Sequence, residues 1–158
     1  MIQRLQSIFL FLASLAMFLV IFLPIWNKTL PETTEEYAVL TALDLTISKG
    51  GETVDKIQTF YIAILAFVAS ALAMGSLFSY KNRLLQMKIN LGNTLVMAAV
   101  LILSTYFLFQ GEKMFSPEVE GQWRLGFFLT PFAMICNSIA NRFIRKDEKL
   151  VRSADRLR

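Results

Sequence analysis

Asn137 to Arg158 reads N-S-I-A-N-R-F-I-R-K-D-E-K-L-V-R-S-A-D-R-L-R. Here an apolar segment turns into a basic helix, and that change decides the reading of the chain. Lys and Arg concentrate beside membrane segments on the cytoplasmic side. If this stretch marks that side, the other apolar segments must alternate from it.

The remaining composition agrees. The chain has 158 residues, 55% of them hydrophobic and 18% charged, with 14 Phe. Its mean hydropathy is +0.51. A soluble domain carries about 25% charge. Asp, Glu, Lys and Arg are missing from Leu5 to Asn27, Ile57 to Tyr80, Ile89 to Gln110 and Leu125 to Asn141. A bilayer core about 30 Å thick needs about 20 apolar helical residues. The expectation is an all-α membrane protein in one domain, a four-transmembrane-helix bundle with spans near 7–26, 57–80, 90–109 and 125–144. Residues 145–158 are expected to form a basic amphipathic tail in the cytoplasm.

Met1-Ile2-Gln3-Arg4 followed by an apolar run has the charge order of a secretory signal. No A-x-A-like site follows, so an uncleaved helix is expected. Pro24 falls near its exit, and Trp26 suits an interfacial belt.

Residues 27–56 form the longest polar stretch. Leu43, Leu45 and Ile47 alternate with Asp44, Thr46 and Ser48, the period of a half-buried strand. Gly50-Gly51 signals a turn, and Glu52-Thr53-Val54 can return as a second strand; Thr53 equally suits a helix cap. A short strand or hairpin over the outer helix ends is expected. In the second span Ala71, Gly75 and Ser79 place small side chains on one face, a pattern that lets membrane helices approach closely. Packing within the bundle is expected of it, with homo-oligomerisation the other option.

Orientation follows from charge. Eleven of the 16 Lys and Arg fall on the side of the termini and the 81–88 loop, and five on the other. Nine of the 12 acids go the opposite way. Both termini are therefore expected in the cytoplasm.

The two ends, Met1-Ile2-Gln3-Arg4-Leu5-Gln6-Ser7-Ile8 and Arg145-Lys146-Asp147-Glu148-Lys149-Leu150-Val151-Arg152-Ser153-Ala154-Asp155-Arg156-Leu157-Arg158, resemble those of a family of small, uncharacterised four-span inner-membrane proteins of the Bacteroidota. The resemblance implies a bacterial inner membrane. It supplies no activity and no site residues.

Much chemistry is excluded by composition. With no His and one Cys, His-ligated haem, His-based zinc sites, disulfides and CxxC redox pairs are ruled out. Cys136 reads as a small packing residue. Asp44, Asp55 and Glu112 have no partner at a diagnostic spacing, so no enzyme and no cofactor are expected. Ionisable groups inside the membrane mark proton and ion relays, and all charges here sit in loops, tails or helix ends. The pI of about 9.4 reflects topology, and direct nucleic-acid binding is not expected.

What remains is an accessory or assembly subunit beside a larger membrane complex. A small oligomeric channel or carrier, and an anionic-lipid-binding protein, are the alternatives. Arg145, Lys146, Lys149, Arg152, Arg156, Arg158, Lys81, Arg83 and Lys88 are the candidate contacts to partner or phospholipid. Asn93, Asn137 and Asn141 are expected as interhelical polar contacts, or as the lining of a channel.

Overall fold

The structure is a computed structural model of the 158-residue chain, and it describes residues 2–30, 36–50, 52–80, 82–115 and 120–155. Its elements are α1 (Ile2–Val20), β1 (Trp26–Thr29), β2 (Tyr37–Leu40), β3 (Asp44–Lys49), β4 (Glu52–Gln58), α2 (Phe60–Phe78), α3 (Arg83–Met114), β5 (Gln122–Trp123) and α4 (Leu125–Asp155).

The all-α expectation is overturned. The five strands form one antiparallel sheet in the order β4-β3-β2-β1-β5. The alternating stretch is indeed a strand, and β3 and β4 form a hairpin with Gly50 in the left-handed region at φ 65°. Thr53 lies in β4 opposite Ser48, not at a helix start. What the sequence reading lacked was the pairing of this hairpin with residues on both sides of it. β5 belongs to the loop before α4, so the two loops form one layer.

The four-span expectation also fails. Among the described residues, three helices, α2, α3 and α4, are long and apolar enough to cross a membrane. The described apolar part of α1 is shorter, Leu5–Val20. The charge-free run at the N-terminus divides its residues between two jobs. The helix ends at Val20, the chain bends before Pro24, and Ile25 and Trp26 enter the sheet core with no exposure. Proline lacks an amide donor and disfavours helix in the residue before it. Trp26 is therefore a core residue, not part of an interfacial belt. Its cross-strand partner Trp123 is the exposed one.

The helices pack in a ring, α1 against α2 and α4, and α3 against the same two. Small side chains allow close approach. Ala13, Ser14 and Ala16 of α1 and Ala66, Ala69, Ser70 and Ala73 of α2 are buried. Ser14 and Ser70 donate to each other's backbone carbonyls, each at 3.0 Å. The stripe that the sequence suggested faces elsewhere: Ala71 is exposed, and a Cβ on Gly75 would meet nothing within 4 Å.

The sheet caps one end of the helices. At a rise of about 1.5 Å per residue, a 32-residue helix is about 48 Å long, well beyond a bilayer core. The last turns of α3 use that excess to support the sheet. Gly111 lies so close under Trp26 and Leu45 that a Cβ would stand 3.1–3.4 Å from their side chains. At the opposite end, Phe9 stacks on Phe143 and Arg83 pairs with Asp147 at 3.2 Å, bringing α1 and α3 onto the second half of α4.

Candidate functional site

Three features stand out: a brace beneath the sheet, a polar interior between the helices, and a basic surface at the end opposite the sheet.

The brace centres on Lys28. Period two in β1 turns Trp26 and Lys28 toward the helices, and both are buried. The Lys28 ammonium is satisfied there by the Glu112 carboxylate at 2.6 Å and by the Phe115 carbonyl at 3.1 Å. The second carboxylate oxygen of Glu112 accepts the Gly121 amide at 2.8 Å. Glu112 thus joins β1, α3 and the segment leading to β5. Gly121 lies against the Trp26 indole, where a Cβ would overlap the ring. Arg124 Nε donates to Asn27 Oδ1 at 2.7 Å, and the Gly126 amide donates to the Pro24 carbonyl at 3.0 Å. Sequence reasoning named Glu112 as a residue without a partner. Its partner lies 84 positions away.

At the free edge of the sheet, Asp44 binds Lys56 at 2.9 Å. The Lys56 hydrogen bond, reinforced by Thr41, holds the Asp44 carboxyl below its usual range against the opposing effect of partial burial. Among the described residues β4 has one strand neighbour, and six of its seven residues are exposed; Val54 is 63% exposed.

The polar interior comes from all four helices. Gln86, Asn90 and Asn93 of α3 share its buried stripe with Met97, Val100 and Ser104. Gln6 of α1, Ser76 of α2 and Asn137 of α4 are buried with them. Asn137 Nδ2 donates to the Asn90 carbonyl at 2.8 Å and to Thr94 Oγ1 at 2.9 Å. Gln86 Nε2 donates to the Ser76 carbonyl at 3.0 Å. Asn137 therefore makes the expected interhelical contact, whereas both amide atoms of Asn93 are buried without a protein partner. Asn141 is half-buried, with its Oδ1 enclosed and unpartnered. Sequence reasoning missed Gln6, Gln86 and Asn90. The signal was available, since Gln86, Asn90 and Asn93 recur at helical spacing in an apolar segment.

The basic surface is where the candidate contacts lie. Lys88, Arg145, Lys146 and Lys149 are exposed, while Arg83 is partly covered and bound to Asp147. Lys81, Arg156, Arg158 and the Arg152 side chain lie outside the described residues. Leu84, Met87, Arg145, Glu148 and Lys149 line a groove of about 350 Å³ between α3 and α4. Among the described residues, no three His, Cys, Asp or Glu side chains gather as a metal site.

The model of a domain of unknown function, DUF4293, matches residues 2–157. The chain belongs to this DUF4293 family. A search of curated proteins finds no match. The match spans both the helices and the sheet, so the family unit is this whole architecture. With three membrane-length helices, this DUF4293 chain is a membrane protein.

Proposed function

We propose that this protein is non-enzymatic and works by association, as an accessory or assembly subunit beside a larger integral membrane complex. The observation that carries this reading is β4, a strand exposed at six of its seven residues, at the edge of a sheet that the ion pair of buried Lys28 with Glu112 braces against α3. An open edge offers unpaired backbone groups to another strand. Asp55 and Lys56 on that edge disfavour indiscriminate pairing, which suits a specific partner. The proposed setting is a bacterial inner membrane, with the basic end in the cytoplasm and the sheet on the far side; the bias of Lys and Arg supports that orientation.

The test is mild-detergent purification of tagged protein from its native membrane, followed by mass spectrometry. A stoichiometric partner that is lost on Val54→Pro, with the variant still folded, supports the reading. Recovery of the protein alone, or retention of the partner by folded Val54→Pro, removes it.

The α3–α4 groove favours a second reading, anionic phospholipid binding, because apolar Leu84 and Met87 lie beside Arg145 and Lys149. Co-purified anionic lipid that falls on Arg145→Gln/Lys149→Gln supports it. Unchanged lipid content removes it.

A further inference from the structure

The polar interior carries an inference independent of the association reading. In native proteins nearly all buried polar atoms have a protein or water partner, and each exception calls for an explanation. Among the described residues one exception, Trp26 Nε1, lies in the sheet core, and the other nine atoms cluster on the four helices. Gln6 Oε1, Ser76 Oγ, Gln86 Oε1, Asn137 Oδ1, Asn141 Oδ1 and both amide atoms of Asn90 and Asn93 are buried without a protein partner.

Exchanging amide oxygen and nitrogen does not resolve the set. The nitrogens of Gln86 and Asn137 already donate to backbone carbonyls, which fixes their oxygens as the open atoms. For Asn90 and Asn93 both ends are open, so a flip changes nothing. The cluster needs donors and acceptors together, which is the chemistry of water.

Its position gives it a direction. The Ser14–Ser70 pair and the Ser76–Gln86 bond fix the levels of α1, α2 and α3. Gln6 lies about 12 Å from Ser14 along α1, and Ser76 about 9 Å from Ser70 along α2, both toward the basic end. The open atoms therefore run from that end to the level of the serine pair. Beyond it the buried stripe of α3 continues with Met97 and Val100. A groove of about 250 Å³ between α3 and α4, lined by Leu91, Thr94, Ser138, Asn141, Arg142 and Arg145, meets the cluster at Asn141.

We propose that this cluster is a water-filled inlet, entered from the basic end through the α3–α4 groove and closed at the serine pair, with Arg142 and Arg145 at its mouth admitting anions in preference to cations. Among the described residues, no acidic side chain lines this groove. The nearby Asp147 is engaged by Arg83, and Glu148 lies in the neighbouring groove.

The test uses the full chain in lipid nanodiscs with Cys136→Ala as background. Asn90→Cys, Asn93→Cys and the dry control Val100→Cys are each exposed to an anionic and to a cationic methanethiosulfonate. The expected result is that the two Asn positions react at least about tenfold faster than Val100→Cys, and faster with the anionic reagent. Equal rates at all three positions overturn the inlet. Fast reaction favouring the cationic reagent overturns the groove as its entrance. Should a variant fail to fold, the unsubstituted chain decides by magnetisation transfer from water to the Asn side-chain amides. Transfer to Asn90 and Asn93 supports the inlet, and its absence overturns it.

Discussion

Lys28 and Glu112 form a salt bridge at 2.6 Å in which the lysine is fully buried and the carboxylate 28% exposed. The asymmetry yields a prediction. Removing one partner of a buried pair leaves the other charge uncompensated and costs several kcal/mol, about 3–5 when both are buried. Glu112→Gln strands the buried ammonium, so it should cost about 3 kcal/mol. Lys28→Met leaves a carboxylate that reaches water and should cost less. The double variant should be more stable than Glu112→Gln alone. Denaturant unfolding of the four proteins in one detergent measures the cycle, and additive losses would refute the coupling.

Gly121 and Gly75 should respond oppositely to alanine. At Gly121 the new Cβ overlaps the Trp26 ring. Overpacking of this kind costs about 1–3 kcal/mol, and the Trp26 environment should change in tryptophan fluorescence. At Gly75 the Cβ meets nothing within 4 Å. There the gain in helix propensity should stabilise by up to about 1 kcal/mol. Thermal melting of both variants checks the contrast.

Asp44 gives the hairpin a pH dependence. Lys56 lowers its folded pKa, so its contribution is present above the unfolded value near 3.9 and is lost as pH falls through the folded one. Hydrogen exchange in β3 and β4 should quicken as pH drops through that window, after correction for the intrinsic rate. Asp44→Asn should show quickened exchange already at pH 7 and no further change on acidification. The effect is small because the Lys56 partner is largely exposed and solvent screens the pair.

Asn137 and Asn93 should also separate. Asn137 hydrogen-bonds across to α3 twice, and interhelical hydrogen bonds in membranes average about 0.6 kcal/mol, reaching about 1.7. Asn137→Leu should therefore cost more than Asn93→Leu, which breaks no bond to protein. Unfolding of both in nanodiscs decides it, and the reverse order would contradict the geometry.

Some of this architecture was legible in the residues alone. Long charge-free segments, the alternation from Leu43 to Ser48 and the basic run from Arg142 are local signals, and a local signal survives any packing. The last three apolar segments each fall on one of the three membrane-length helices, two of which run on beyond them. The first misled, because hydrophobicity does not say whether Ile25 and Trp26 face lipid or a sheet core. The face of α2 was misread for a similar reason. Ala71, Gly75 and Ser79 are small, but Ala66, Ala69, Ser70 and Ala73 are small too, and only the neighbouring helices decide which set is buried.

By itself the sequence determined a membrane protein with charge biased to one side, since burying so much apolar surface in water-free surroundings follows from composition. Only the tertiary structure decided that two separate loops form one sheet, that Lys28 meets Glu112, and that the polar residues of four helices converge. Each of those is a contact between distant segments, with its partner fixed by backbone pairing and close packing rather than by any neighbour in the chain.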